Sequence, residues 1–428
     1  MIRQIAVPPL DRLEPHLLRN AGRDPGTTAA VAAIVTDVMA RGDAAVRAYT
    51  IKFDAVDLAP GQWELPQSEW RNALDRLDLE LRDALETAVG RVRDYHHRQR
   101  EHGFNLLQED GSILGMRVAP LDRVGLYVPG GKAAYPSTVI MNAMPAVVAG
   151  VEEIIVVTPP AGITDAVLAA CLLSGVHRIF KVGGAQAIAA LAYGTATIPR
   201  VDKVVGPGNR WVAEAKHQVA GQVGIDLVAG PTELLIIADS TADPRHIAYD
   251  MVAQAEHDED ATAWCITPDQ QLADALPAAL EAALVQAPRA AVARVALQRH
   301  GLVVWVPSLL DAVDVVNLRA PEHLQIVTRD PENLAQGVRH AGAIFLGDDS
   351  PEPVGDYIAG PSHVLPTGGT ARFSSPLGVY DFVKRTSLIR YTRSRFLNDA
   401  DRIIALAEAE GLSGHAEAVR VRMQEPEA

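Results

Sequence analysis

Apolar positions along the chain fall into two rhythms. Val31, Ile34, Val35, Val38 and Met39 recur at helical spacing, and so do positions from Leu77 through Val92, which predicts an opening helical region. From Val124 the pattern changes to short apolar runs separated by glycine turns and helical stretches. Val124–Val128, Ile154–Thr158, Arg178–Val182 and Lys203–Val205 read as strands. Between and after them the spacing predicts helices through Met141 and Val148, over Ala166–Leu173, over Ala185–Tyr193 and on to Val219. A second series of strands follows at Leu234–Ala238, Thr262–Thr267, Leu302–Val306 and Ala343–Leu346. One of its helices spans Pro244 to His257, with Asp243 suited to cap it and Pro244 to open it. Beyond Leu377 the tail reads as helical, from Asp399 to Glu410 and from Ser413 to Met423. Strands alternating with helices imply parallel sheets covered on both faces, that is, doubly wound α/β domains.

Composition narrows the classes. With 428 residues, 48% of them apolar and 21% charged, the chain has the make-up of an ordinary globular protein of two or three domains. A formal net charge of −14 argues against nucleic acid or an anionic membrane as the main partner. Cys171 and Cys265 lie far apart in apolar runs and read as small buried hydrophobes, without a disulfide framework. The N-terminus shows no apolar signal core, and the apolar stretch Val139–Val157 is interrupted by Asn142, Pro145, Glu152 and Glu153. The expectation is a soluble cytoplasmic protein.

Several segments carry residues suited to chemistry. The stretch from Gly355 to Thr367, with Gly355, Gly360, Pro361 and Pro366, reads as a stiff, bent loop holding the carboxylate of Asp356 and the imidazole of His363, although a turn-rich connector fits the same residues. Gln254 and His257 are three apart at a helix end and so share a face, as half of a metal site would; an imidazole is a common zinc ligand and an amide oxygen an unusual one. The run Asp258-Glu259-Asp260 reads as a solvated loop. Glu322-His323 offers two titratable groups of different proton affinity, useful for two proton transfers, while a surface pair at a helix end is the plainer reading. Gly230-Pro231-Thr232-Glu233 forms a rigid polar corner before a strand, and Glu410 and His415 flank a helix junction. Glycine turns at Gly130, Gly183 and Gly206 follow strands and precede helices, where bare backbone can cradle a pyrophosphate. Gly206-Pro207-Gly208 is not a dinucleotide fingerprint, because Trp211 takes the third glycine position. His96, His97 and His102, set among Arg93, Arg98 and Arg100, read as a solvated basic face.

Taken in order, these segments resemble the histidinol dehydrogenase family. The matching stretches are Gly125-Leu126-Tyr127-Val128-Pro129-Gly130-Gly131, Val182-Gly183-Gly184-Ala185-Gln186-Ala187, Gly206-Pro207-Gly208-Asn209 and Ala229-Gly230-Pro231-Thr232-Glu233. Next come Ala253-Gln254-Ala255-Glu256-His257, Ala320-Pro321-Glu322-His323-Leu324, Gly355-Asp356-Tyr357, His363-Val364-Leu365-Pro366-Thr367 and Glu410 to His415. The resemblance implies NAD-dependent oxidation of L-histidinol to L-histidine through a bound aldehyde, with two NAD and one water, at the end of histidine biosynthesis. It implies one zinc ion per subunit on Gln254, His257, Asp356 and His415, and Glu322 and His323 as the catalytic acid-base pair. Substrate contacts would come from Thr232, His363 and Glu410 together with Gln254, His257, His323, Asp356 and His415, and NAD contacts from Tyr127, Gln186 and Asn209. It further implies a homodimer whose tail crosses to the partner, so that Glu410 and His415 complete the other subunit's site.

The fold expected is α/β, with two doubly wound, incomplete Rossmann-like domains and small helical segments at each end. The expected division runs 1–21 as an N-terminal helical segment, 22–126 with 234–377 as a discontinuous metal and catalytic domain, 127–233 as the NAD domain, and 378–428 as the crossing tail. The rival reading is a related zinc-dependent dehydrogenase of another polar alcohol, such as a sulfonated propanediol.

Overall fold

The computed structural model of the chain describes residues 2–7, 13, 24–130, 135–228 and 230–424. Its strands are β1 (Arg3–Ala6), β2 (Phe104–Leu107), β3 (Ile113–Pro120), β4 (Arg123–Tyr127), β5 (Glu153–Val157), β6 (Arg178–Phe180), β7 (Lys203–Val205) and β8 (Gly224–Ile225). They continue with β9 (Glu233–Ala238), β10 (Thr262–Thr267), β11 (Leu302–Trp305), β12 (His323–Val327), β13 (Ala343–Leu346) and β14 (Val383–Arg390). Contacts divide the chain into two units, Met1–Gln99 with Leu121–Phe382, and Arg100–Pro120 with Val383–Ala428.

The larger unit holds two parallel sheets. One has the order β6-β5-β4-β7-β8 and the other β1-β11-β10-β9-β12-β13. Apart from the added edge strand β1, both follow one winding: the first strand lies in the middle, two successors stack to one side, and the chain then switches to the other. Alternation along the strands explains why helices cover both faces. In β5, Ile154 and Val156 join one core while Ile155 and Val157 join the opposite one. In β9, Leu234 and Ile236 face one core and Leu235 and Ile237 the other. Strands buried on both faces must be apolar throughout, and these runs are. Cys171 and Cys265 are both buried within these layers, as their apolar settings predict.

The helices of the opening region, Pro25–Arg41 and Leu79–His97, pack on opposite faces of the five-stranded sheet: Val31, Ile34 and Val38 share a core with Ile155, and Leu85, Val89 and Val92 share one with Val124. The expected divisions at 126/127 and 233/234 fall inside β4 and β9. Arg3–Ala6 is a strand paired with β11 and not part of a helix, while most of the rest of 1–21 lies outside the described residues, as do Gly131 and Ala229. His96 is not on a solvated face: it is fully buried, with Nδ1 2.7 Å from Val92 O. Burial holds its pKa below the ordinary imidazole value.

In the smaller unit, β3 pairs antiparallel with β2 and with β14. The tail is therefore not helical throughout; Val383–Arg390 is extended, and helices Arg393–Ala409 and Ser413–Met423 follow. No helix among the described residues is long and apolar enough to cross a membrane.

Candidate active site

Two sets of predicted residues occupy opposite kinds of sheet edge. In open α/β sheets, ligands usually sit outside the carboxyl ends of the strands, where the winding switches sides. Tyr127 ends β4, Gly183-Gly184 follows β6, and Gly206–Asn209 follows β7, so the residues expected to contact NAD lie at the carboxyl edge of the five-stranded sheet. Tyr127 is buried, and its hydroxyl oxygen accepts from Gly184 N at 3.1 Å. Burial pushes this phenol up to about 12, so it stays neutral. Gln186 is buried one turn into the helix Gly184–Tyr193, and neither polar atom of its amide has a hydrogen-bond partner. A buried amide left unpaired calls for a ligand or water. Asn209 is exposed and caps the helix Arg210–Val219, its Oδ1 accepting from Trp211 N at 3.0 Å and Val212 N at 3.2 Å. Its amide NH2 remains for another acceptor.

The loop at Gly206 is held from below. Gly206 has φ +111°, and a Cβ there would meet Tyr127 O at 2.3 Å, so only glycine fits. Its N–H donates to Asp226 Oδ2 at 2.7 Å, and its carbonyl accepts from Lys216 Nζ at 2.9 Å. Lys216 and Asp226 themselves form a buried ion pair.

The catalytic candidates sit at the amino edge of the other sheet. Ala320 ends the helix Leu309–Arg319 in the left-handed region at φ 50°, and Pro321 then turns the chain into β12. Glu322 and His323 are not a surface pair; they are 7% and 3% exposed, Glu322 just before that strand and His323 at its start. Neighbouring β9 supplies their partners. Glu322 Oε2 accepts from Thr232 Oγ1 at 2.7 Å and from Glu233 N at 2.8 Å. His323 Nδ1 lies 3.0 Å from Glu233 O. A carbonyl can only accept, so Nδ1 carries the hydrogen and Nε2 is left as the base. Burial raises Glu322 to about 8, the hydroxyl and peptide donors opposing it. Beneath, Arg319 Nη2 pairs with Glu233 Oε1 at 2.6 Å, both side chains 1% exposed.

Across from His323 runs the short helix Glu352–Tyr357, so Asp356 stands on a helix and not in the expected loop. Gly355 allows the helix to settle on β13, since a Cβ there would meet Phe345 Cε1 at 2.5 Å. Glu352 and Asp356, four residues apart, share its inner face. Glu352 Oε1 and Asp356 Oδ1 each lie 4.0 Å from His323 Nε2. His257 Nδ1 is 3.1 Å from Ala253 O and 3.2 Å from Gln254 O, which leaves Nε2 to bind a metal. One ligand atom from each of His257, Glu352 and Asp356 lies within 4.8 Å of the others.

Gln254 is fully buried between Thr232 and Glu352. Turned one way, its Nε2 donates to both Glu352 oxygens, but its Oε1 must then compete with Glu322 for the single Thr232 hydroxyl hydrogen and for Glu233 N–H. Turned the other way, Nε2 donates to Thr232 Oγ1 at 2.5 Å, and Thr232 is free to donate to Glu322. Oε1 then faces the Glu352 oxygens at 2.7 and 2.8 Å with no hydrogen bond between the groups. Proton counting favours the second orientation when a proton on Glu352, whose pKa burial raises, or a bound cation stands among those oxygens. An imidazole nitrogen with amide and carboxylate oxygens is a donor set that zinc accepts. The metal expected from the resemblance fits these residues.

His363 Nδ1 is 3.1 Å from Asp356 O. Burial lowers its pKa while the Asp356 carboxylate raises it, so the ring is held below the ordinary imidazole value. Its segment is anchored to the five-stranded sheet's layers: Val364 and Leu377 enter that core and Ser362 Oγ donates to Met141 O. The structure thus gathers Thr232, Gln254, His257, Glu322, His323, Asp356 and His363. Glu410 and His415, both exposed, belong to the smaller unit, at the end of one tail helix and within the next. Glu352 was missed by sequence reasoning; Pro351-Glu352-Pro353 is the available signal, a helix start that puts Glu352 one turn ahead of Asp356.

Residues 18–423 match the family model described as histidinol dehydrogenase. A histidinol dehydrogenase from Bordetella parapertussis is 52% identical over 411 residues, covering 95% of this chain and 93% of that protein. One from Oceanobacillus iheyensis is 50% identical over 394 residues, with 91% and 92% covered. The crystal structure of histidinol dehydrogenase from Elizabethkingia anophelis superposes with a TM-score of 0.93 at 34% identity, covering 99% of this chain and 98% of that one. With the fold, the ordered motifs and these likenesses in agreement, the chain belongs to the histidinol dehydrogenase family.

Proposed function

We propose that this chain oxidises L-histidinol to L-histidine in two NAD-dependent steps within one site. The observation that carries the reading is the buried pair Glu322–His323, oriented by Glu233 and Thr232 and facing a set of metal-type donors. His257 Nε2, Asp356, Gln254 Oε1 and His415 of a second subunit would hold one zinc ion, and Tyr127, Gln186 and Asn209 would contact NAD. Bound zinc supplies a positive centre that orients the substrate's imidazole and amine, and NAD accepts one hydride in each step.

The chain's own groups handle the protons. His323 Nε2, unpartnered in the structure, takes the alcohol proton as hydride leaves the carbinol carbon, giving the aldehyde. Its Nδ1–H stays on Glu233 O, which stabilises the imidazolium that results. Glu322, once ionised, takes a proton from the water that adds to the aldehyde while His323 returns its proton to the carbonyl oxygen, giving the hydrate; His323 Nε2 takes a hydrate hydroxyl proton as the second hydride leaves, and the acid so formed loses its last proton to give the carboxylate. His363, held neutral, can hydrogen-bond a polar substrate group, and Glu410 of the second subunit would face the substrate in a homodimer. Burial of the pair keeps bulk water and other nucleophiles from the aldehyde.

The two carried-over roles separate in single half-reactions. His323→Ala should slow alcohol oxidation by roughly a hundredfold or more, the usual range for a lost general base. Glu322→Gln should slow oxidation of added L-histidinaldehyde more than it slows the first step. Wild-type rates for His323→Ala in both half-reactions would remove the assignment.

A further inference from the structure

The mechanism above leaves one buried group of the site without a task. Glu352 is 2% exposed at the start of the helix Glu352–Tyr357, and its carboxylate lies 2.7 and 2.8 Å from the Gln254 amide and 4.0 Å from the His323 ring. A carboxylate taken out of water needs a cation or several donors. Gln254 donates to Glu352 only when its amide is turned so that its own oxygen competes with Glu322 for the Thr232 and Glu233 hydrogens, so these donors cannot satisfy Glu352, Glu322 and the amide oxygen together. Where the Gln254 oxygen faces Glu352, the two groups repel unless a proton or a cation bridges them. Asp356, one turn on, points a second carboxylate at the same place, and His257 brings a nitrogen lone pair.

We infer that Glu352 is a positioning residue of the metal site, an anion that faces the bound divalent cation beside Asp356 and His257 and holds it against those ligands. The inference rests on the zinc reading given above and adds to it a residue and a reason. Without Glu352, the cation meets the single negative charge of Asp356 together with neutral donors. With it, the cation meets a second negative charge, and the amide oxygen, the Glu352 oxygens and the metal form one mutually satisfied group. Residues that orient metal ligands typically change metal affinity by about 10- to 100-fold when altered.

Glu352→Gln tests this with little change of shape. The new amide can donate to Gln254 Oε1, so a purely structural contact survives and only the charge is lost. Metal-stripped full-length protein is titrated with zinc in competition with a chromophoric chelator, and thermal unfolding of the metal-free proteins checks that each variant is folded. Glu352→Asp, which keeps the charge, serves as the partial rescue and as the second variant should Glu352→Gln not fold. The expected result is zinc binding at least about tenfold weaker in Glu352→Gln, with Glu352→Asp intermediate and His257→Asn also weakened. Unchanged zinc affinity in Glu352→Gln, alongside loss in His257→Asn, would overturn the inference while leaving the zinc site standing. An altered KM for L-histidinol with unchanged zinc affinity would overturn it too and assign Glu352 to the substrate's amine. A wild-type protein that binds no zinc would remove the underlying reading instead.

Discussion

Arg319→Met is the substitution whose effect follows most directly from the geometry. The Arg319–Glu233 pair closes at 2.6 Å with both side chains 1% exposed, so neither charge has access to water. The guanidinium also lies 5.8 Å from the Trp264 ring centroid. Methionine fills much of the volume but leaves the Glu233 carboxylate buried without this partner. Removing one partner of a buried pair costs about 3–5 kcal/mol. The loss should reach catalysis through the peptide groups of the same residue, because Glu233 N holds Glu322 and Glu233 O holds the His323 ring. Urea unfolding at neutral pH should show the destabilisation, and steady-state kinetics should show kcat falling while the KM for NAD stays put. Adding Glu233→Gln to Arg319→Met removes the stranded charge and should restore about 2 kcal/mol or more, a coupling typical of groups in contact. A single variant within about 1 kcal/mol of wild type, or a double variant no more stable than the single, would refute the reasoning.

Other outcomes follow from the same structure. Since burial raises Glu322 to about 8, the aldehyde-oxidising half-reaction should climb with pH until about 8, and this limb should vanish in Glu322→Gln. The folded pKa lies above the ordinary 4.5, so the protonated carboxyl stabilises the metal-free fold fully below about pH 4.5 and that contribution is lost as pH rises through about 8. Above that pH, Glu322→Gln should be more stable than wild type, by at most about 5 kcal/mol at 1.36 kcal/mol per unit, as read by urea unfolding. Asp226→Asn leaves one oxygen where Gly206 N–H and Lys216 each had their own and strips Lys216 of its counter-charge; it should raise the KM for NAD about tenfold, equivalent to about 1.4 kcal/mol, with zinc content and the KM for L-histidinol unchanged.

Much of this was visible in the chain before any fold. The runs at Ile154 and Leu234 are apolar at every position because the strands they form are covered on both faces, and that continuity marks a parallel sheet directly. Asp243 and Pro244 marked the start of a helix because both act through local backbone geometry. Elements held by distant partners were hidden. The strand β12 opens on polar His323, directly after Glu322, and contains Gln325, so this start looks like a helix end until β9 is laid beside it. Val383–Arg390 is extended because it pairs with Ile113–Pro120, far away in sequence. At the site, residues that resemble family motifs could be named, but Glu352 had no motif role and gained one only when the fold placed it against Gln254. The burial of His96 was hidden for the same reason: its neighbours in sequence are charged, whereas the segment beside Leu377 that covers it comes from far along the chain.

The central claim, that one site carries the alcohol through the aldehyde to the acid, is tested most directly by product stoichiometry. Purified, zinc-loaded protein is given limiting L-histidinol and excess NAD, NADH is followed by absorbance, and the organic product is identified by mass spectrometry. Two NADH per L-histidinol consumed, with L-histidine as the product and no aldehyde released, is the predicted result. No NADH, or one NADH per L-histidinol with free aldehyde accumulating, would contradict it.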